Sequence, residues 1–596
     1  MNNETMKQTK RWVGLVAMMT AMVMTSTVVG GAENGQPAKS DQVLGLKFIT
    51  NAKFGIFVHY TVEYAHLSPG GKPQPAVWDL DAKADAFDVM AFADAVEGMG
   101  AQYVTLTAFH AAMYLLAPSK VMVDVGLSKH QAKRDLLGEV ADELNKRGIA
   151  LCLYVHPTDQ HDLSREERAL FGWGPEADGL PGPKLGQWPN PKWDALLLGL
   201  FKEISLRYGK RVSGYWIDQH SGKVFPDAGR LAVALRAGNP DAVIWQNSGA
   251  YVPAGLSLES AWPACEGGDP SKGEKDQCCI LPTDNAWFLG KKVQIPAPEV
   301  FRGVVRCAGT PGQKGGVHVA LTPYADAYAP PVKQMMDEFG KLWRERKVSL
   351  LNTRPSAILQ IEQKNTPWEV VATDSADGKT VYVHVMIPPA GQTIILPPLN
   401  DSRKLLKASL LLGGNKVPFK QSEEALELSL PEGVKWDPAD TVIVLKVGPA
   451  FEPGVLLSEQ AKLELSSTCG HDNPTNHARL FSGDKVPFAF HTDNEKNPWA
   501  KIDLGAVRTV RTVEIENRPG EEERTKGLIM SISEDGEKWE EVWQAKSWVA
   551  TWIARVTQSS GGSVKAGRKA RFIKLETRGE SPGPLVLKRV TVFGIK

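Results

Sequence analysis

Residues 87–110 read FDVMAFADAVEGMGAQYVTLTAFH. In the first half, apolar residues recur at helical spacing and the run stops at Gly100, a helix-ending residue. The second half is a compact apolar run that ends in His110. A helix followed at once by a strand of this kind is one unit of an alternating α/β chain. A strand without polar alternation is buried on both faces, as in a parallel sheet covered by helices.

The same unit recurs on either side. KFGIFVHY (53–60) reads as a preceding strand, RDLLGEVADELNKRG (134–148) as an amphipathic helix and IALCLYVHP (149–157) as a third strand. WDALLLGLFKEISLRYG (193–209) is a further helix; VSGYWIDQ (212–219) and AVIWQNSG (242–249) are further strands. PEVFRGVVRCAG (298–309), GGVHVALTP (315–323) and PPVKQMMDEFGKLWRER (330–346) continue the alternation. Repeated βα units over roughly 300 residues fit a (β/α)8-like barrel across 43–350 better than an open sheet.

Beyond it the pattern changes to short strands separated by turn residues. WEVVATD, TVYVHVMI, QTIILPPL, KASLLLGG and TVIVLKVG predict a small antiparallel β-sandwich across 355–450. FEPGVL (451–456) reads as a linker, and 457–596 as a second all-β domain, again a β-sandwich. A chain of 596 residues is too long for one core, and three domains agree with its length.

Lys+Arg number 69 and Asp+Glu 68, for a formal net charge of +1, with no basic block. That argues against nucleic acid as a partner. At the N-terminus Lys7, Lys10 and Arg11 precede the apolar run WVGLVAMMTAMVMTSTVV, followed by Gly30, Gly31 and Ala32. This order predicts a secretory signal peptide over 1–32 and a secreted or periplasmic protein with no membrane span after cleavage. The alternative is an uncleaved anchor. Six cysteines show no zinc spacing. Cys152 reads as a buried thiol, while a disulfide from Cys265 or Cys307 to the 278–279 pair stays open.

His59, His110, His156 and Asp218 each fall at or just past the C-terminal end of an expected strand. In barrels of this type that end carries the active site. Asp218 is preceded by SGYWI, which would hold its carboxylate at the barrel mouth. A carboxylate held that way, with aromatic rings for the apolar faces of a sugar, suits glycoside hydrolysis, which needs two carboxyl groups. Trp78, Tyr154, Trp173, Trp216, Trp262 and Trp287 are the available rings.

Four blocks, KFGIFVHY, the opening stretch, RDLLGEVADELNKRGIALCLYVHP and RYGKRVSGYWID, resemble in order the first four βα units of family 29 glycoside hydrolases, the α-L-fucosidases. GVHVALTPYADAYAPPVKQMMDEFGKLWRER and NTRPS resemble that family's barrel end and exit, so the likeness spans about 43–450. It implies an exo-glycosidase that removes terminal α-L-fucose from glycans with retention, through a covalent glycosyl-enzyme, with no cofactor needed for catalysis. The family's Trp-Phe-Asp motif places its nucleophile on Asp218 and its Trp on Trp216. Its first-strand His falls on His59. With the aromatic rings and strand-end histidines above, the candidate substrate contacts are His59, Trp78, His110, Tyr154, His156, Trp216 and Trp287.

The chain also departs from the pattern. The family's Thr-Ala-Lys-His-His-Asp-Gly-Phe is replaced by Thr107, Ala108, Phe109, His110, Ala111, Ala112, Met113, Tyr114. One of two sugar-binding histidines is therefore missing, and His156 and Asp159 are candidate replacements. The strand-five segment has WQNSG where the family often has an Arg. The acid/base residue is expected in or near EKDQCCILPTDNAWF, with Glu274 first, then Glu266 and Asp276. These losses keep open a different or substituted sugar, or a catalytically inactive glycan-binding protein.

HARLFSGDKVPFAFHTDNEKNPWAKIDLG (477–505) and VRTVEIENRPGEEERTKGLIMSISEDGEKWEEV (510–542) resemble the discoidin, or factor 5/8 type C, carbohydrate-binding modules. The resemblance implies sugar contacts at Arg518 and Arg524, or alternatively two arginines answering Glu521, Glu522 and Glu523. It also implies a structural calcium near Asp484 and Thr492.

Overall fold

The computed structural model describes residues 46–595 apart from 62–79, 111–112, 157–162, 173–189, 219–227, 248–260, 265–278, 311–315, 362–366, 401–402, 423–424, 450–453, 471, 482–487, 519–520, 546–550, 561–562 and 580. Residues 1–32, expected to be a signal peptide, lie outside the described residues.

Eight strands form one parallel sheet: β1 (Phe54–Val58), β2 (Tyr103–Phe109), β3 (Ala150–Val155), β4 (Val212–Asp218), β5 (Val243–Asn247), β6 (Ala261–Ala264), β7 (Cys279–Ile280) and β8 (Val317–Ala320). Their order is β6-β5-β4-β3-β2-β1-β8-β7. The first strand therefore lies between the second and the last, which is the neighbour order of a barrel. β6 and β7, of four and two residues, are too short to carry a periodic signal, and the sequence reading had no strand for either.

Helices cover the sheet, and local chemistry sets their ends. The helix Val89–Met99 starts where the Asp88 carboxylate accepts from Ala91 N, and it ends at Gly100, whose φ of 91° is left-handed. The helix Leu136–Lys146 is capped by Asp135, and Pro191–Tyr208 by Asn190. Ile56, Val58, Leu106, Leu151, Leu153, Tyr215 and Ile217 join the outer core beneath these helices. The alternate residues Phe57, Tyr103, Cys152, Tyr154, Trp216, Val243 and Trp245 form a separate inner core. That division is the two-residue period of a strand with apolar matter on both faces. Burial pushes the Cys152 thiol pKa upward.

Gly55 has a steric reason. A Cβ there would lie 2.3 Å from the Tyr103 ring, which fills the inner core beside His318 and Trp245.

The middle domain has a five-stranded and a three-stranded antiparallel sheet. Val383 and Ile443 of one share a buried cluster with Ile394 and Leu428 of the other. It is tied to the helix Pro330–Arg346 beside the eight-stranded sheet by Arg346, almost fully buried, which reaches the Asp440 carbonyl and the Asp437 carboxylate. Arg306 binds Glu369 across the same junction. The last domain is built on a nine-stranded sheet centred on Trp499–Asn517 and Val586–Ile595. Val455–Leu456, within the stretch read as a linker, pairs with that final strand. Gln360 Nε2 donates to the Thr551 carbonyl at 2.7 Å, joining the middle and last domains.

Candidate active site

The inward period that fills the inner core also builds its upper rim. On β4, Gly214, Trp216 and Asp218 share one face. On β3 and just past it, Cys152, Tyr154 and His156 do the same, and on β1 Phe57 and His59. β2 does not follow the simple count. Its pairing with β3 slips between Thr107 and Phe109, so Ala108 and Phe109 both belong to the outer core. This bulge resets the alternation, and His110 rather than Phe109 meets the inner residues. Its ring lies nearly parallel to Tyr154, 5.6 Å away at 7°.

Tyr154 is the hub. Its hydroxyl donates to Asp218 Oδ2 at 2.6 Å, and its ring stacks on Trp216 at 5.5 Å and meets His59 at 4.6 Å. Asp218 is only 6 % exposed, so a short charge-assisted bond from a fixed phenol locks the carboxylate's orientation. His156 Nε2 stands 3.6 Å from Asp218 Oδ2, and the His156 ring is 4.7 Å from that of His110.

His59 is held from two sides. Its backbone N–H donates to Thr322 Oγ1, whose hydroxyl donates to the Trp287 carbonyl. Its Nδ1 is 2.9 Å from Thr107 Oγ1, and the Thr107 hydroxyl reaches the Val58 carbonyl at 3.1 Å. A hydroxyl has one proton. Given to Val58, it leaves Thr107 to accept from Nδ1–H, so neutral His59 keeps Nε2 as an acceptor. Burial lowers the His59 pKa from 6.5 to about 3, against the opposing pull of Asp218, so the ring is neutral at ordinary pH. Trp287 and Phe288 wall the other side, with ring centres 6.0 and 5.3 Å from His59.

His318 belongs to the layer below. It is fully buried, 2.9 Å from Thr105 Oγ1, and ringed by Phe57, Tyr103 and Trp245. It packs the interior and does not reach the rim.

Of the residues singled out from sequence, His59, His110, Tyr154, His156, Trp216, Asp218 and Trp287 come together here. Trp78, Asp159, Ala111, Trp173, Glu266, Glu274 and Asp276 lie outside the described residues, as does the side chain of Trp262. Phe288, Thr107 and Thr322 were not foreseen. Phe288 follows Trp287 in a turn without periodicity, and the two threonines read as ordinary strand and loop residues.

The comparisons with known proteins fall on this region. Residues 78–241 match the model of the alpha-L-fucosidase family, and 480–572 match a NedA-like, galactose-binding domain. The segment 78–241 is an alpha-L-fucosidase family domain. It carries Tyr154, His156 and Asp218. The fucosidase-type barrel sheet recurs in solved structures. A bacterial fucosidase crystallised with an inhibitor aligns at TM-score 0.51 and 19 % identity, over 71 % of this chain and 96 % of that one. An alpha-L-fucosidase GH29 from Bacteroides thetaiotaomicron aligns at TM-score 0.50 and 19 % identity, over 72 % and 98 %. At that identity the likeness is one of fold. No curated protein sequence matches the chain. His110, Tyr154, His156, Trp216 and Asp218 of the rim lie within the matched segment, and His59, Trp287 and Phe288 lie outside it.

In the galactose-binding domain, Arg518 and Arg524 converge on Glu521 at 3.2 and 2.7 Å. The Arg518 guanidinium also lies 4.7 Å from the centre of the Phe488 ring. Asp484 lies outside the described residues. The Thr492 hydroxyl accepts from Leu585 N–H and reaches the Asp493 carbonyl.

Proposed function

We propose that the chain is a retaining exo-glycosidase that cleaves terminal α-L-fucose from exported glycans, with Asp218 as nucleophile. The observation that carries the reading is the Asp218 carboxylate at the end of β4, bound by the Tyr154 hydroxyl at 2.6 Å. Histidines and indoles of a sugar-binding kind surround it. In the first step Asp218 attacks the anomeric carbon as the glycosidic C–O bond breaks. A second carboxyl group protonates the leaving oxygen. In the second step water, deprotonated by that same group, displaces Asp218 and restores the carboxylate. Glu274, then Glu266 and Asp276, remain our candidates for the second group.

The rim also bears on the sugar. The family's second strand-two histidine is absent, yet His156 of the neighbouring strand brings an imidazole within 4.7 Å of His110. Two imidazoles therefore stay available for sugar hydroxyls, which favours a fucose-like substrate. We further propose that the eight-stranded sheet closes between β6 and β7 as a (β/α)8 barrel. The last domain would serve as a glycan-binding module, using Arg518 and Arg524, and residues 1–32 would direct export.

The test is hydrolysis of a panel of aryl glycosides by wild type and Asp218→Ala, with the anomer of the first product read by NMR. Release from aryl α-L-fucoside with retention, abolished in Asp218→Ala, is the expected result. Cleavage of another sugar alone overturns the substrate. Undiminished activity in Asp218→Ala overturns the mechanism.

A further inference from the structure

The rim brings together a donor set that no sequence spacing announces. His110, His156 and Asp218 stand far apart in the chain, on the ends of three adjacent strands. Their ligand-capable atoms lie within 4.8 Å of one another, and all three residues are buried. His156 Nε2 and Asp218 Oδ2 are 3.6 Å apart, too far for a direct hydrogen bond of ordinary length. It is, however, close to the edge of a tetrahedral metal site. Ligand atoms each about 2.1 Å from a zinc ion stand about 3.4 Å apart at the tetrahedral angle.

From this geometry we infer that His110, His156 and Asp218 form a site for one divalent cation of the zinc class, and that occupation of this site blocks the glycosidase. Two imidazole nitrogens and one carboxylate oxygen suit zinc, and three protein ligands leave the fourth position open. The nitrogen donors disfavour magnesium and calcium, which take oxygen ligands. Tyr154 completes the arrangement from outside. Its hydroxyl, 2.6 Å from Asp218 Oδ2, orients the ligating carboxylate as outer-shell donors do in metal sites. The blocking half of the inference rests on Asp218 being the nucleophile. A carboxylate whose lone pairs hold a cation cannot attack an anomeric carbon, and the cation would stand where a sugar hydroxyl meets the histidines.

The experiment is calorimetric titration of the chelator-treated full chain with zinc chloride, with magnesium chloride as a control. One zinc site is expected in wild type, lost in His110→Ala and in His156→Ala. In Tyr154→Phe it weakens by about 10- to 100-fold, the usual loss for an outer-shell partner. The metal-free thermal midpoint checks that each variant folds. Should the alanine variants fail that check, His110→Gln and His156→Gln replace them, and the absorption spectrum of cobalt-loaded wild type reports nitrogen and oxygen ligation directly. His477, bound to Asp472 in the last domain, is the most obvious rival ligand, so His477→Ala must leave binding intact. Zinc uptake that survives both rim-histidine variants, or no uptake by wild type, overturns the site. Zinc should also inhibit hydrolysis of aryl α-L-fucoside in competition with substrate. If zinc binds at the rim but metal-free protein cleaves no fucoside, the metal site stands and the fucosidase reading falls. If fucoside is cleaved and zinc does not bind, the reverse holds.

Discussion

His318→Asn should remove about half of the acid sensitivity that two buried histidines confer on the barrel. Burial lowers the pKa of both His59 and His318 from 6.5 to about 3. Because both values are lower in the folded than in the unfolded chain, unfolding takes up protons between those limits. Stability therefore rises with pH across this window and is lost on acidification. Near pH 7 neither ring contributes. At about pH 5 an unfolded imidazole is some 1.5 units below its pKa, which favours unfolding by about 2 kcal/mol per histidine. The asparagine amide is too short to replace Nε2, which is 2.9 Å from the Thr105 hydroxyl in wild type, and that loss is the same at both pH values. The lost ring packing lowers stability equally at both pH values and cancels in the comparison. The assay is hydrogen exchange of β2 and β3 amides at about pH 5 and pH 7, corrected for intrinsic rates, in wild type and variant. Wild type should lose about 4 kcal/mol of protection on acidification from these two groups, and the variant about 2 kcal/mol. Identical losses in the two proteins would refute the claim that His318 is buried in its neutral form.

Three further changes probe the rim, the inner layer beneath it and the junction with the middle domain. Thr107→Val removes the acceptor for His59 Nδ1–H and leaves that buried donor unsatisfied, a cost of about 1–3 kcal/mol. The kcat/KM on aryl α-L-fucoside should fall by about 10-fold or more, with Thr107→Ser near wild type; equal rates for Val and Ser would show that the hydroxyl does not hold His59. Gly55→Ala puts a methyl 2.3 Å from the Tyr103 ring and should lower the thermal midpoint through overpacking worth about 1–3 kcal/mol. An unchanged midpoint would mean the inner layer can yield. Arg346→Met strips the junction of its bonds to Asp437 and the Asp440 carbonyl, at a cost of about 2 kcal/mol. The expected sign is faster protease cleavage between barrel and middle domain, and unaltered cleavage would place the strength of the junction elsewhere.

Legibility from sequence followed the length of each signal. β1 to β5 and β8 stand where their apolar runs lie, because a strand buried on both faces announces itself over five or more residues or against a strong neighbouring helix. β6 and β7 do not, since four and two residues hold no period. Strand ends were legible as loci of polar residues, yet the count of alternate residues alone misplaces His110. The slip between Thr107 and Phe109 turns two successive side chains outward, and a bulge is a property of pairing with β3 rather than of β2's own residues. The same limit explains Thr107 and Thr322, whose hydroxyls matter only because His59 comes to lie beside them.

The metal donor set extends that argument. A zinc spacing can be read when ligands lie close together in the chain, because the local chain then fixes their geometry. Here each ligand comes from a different strand, and parallel strands of one sheet bring residues together across a whole βα unit. His110, His156 and Asp218 meet because β2, β3 and β4 are neighbours in register, with Thr107 opposite Tyr154 and Tyr154 opposite Trp216. A one-residue change in that register would turn Asp218 out of the barrel and break both the proposed nucleophile and the proposed metal site together. The alternation of β2 beyond its bulge is therefore the feature on which the His110 half of the rim depends. Deleting Ala108 should remove the bulge and leave simple alternation, with Thr107 inward, Phe109 outward and His110 still inward. Zinc binding should survive that deletion, whereas one alanine inserted between Phe109 and His110 should turn His110 outward and abolish it while Asp218 keeps its bond to Tyr154. If the insertion variant folds and still binds zinc through His110, the alternation beyond the bulge does not set the rim.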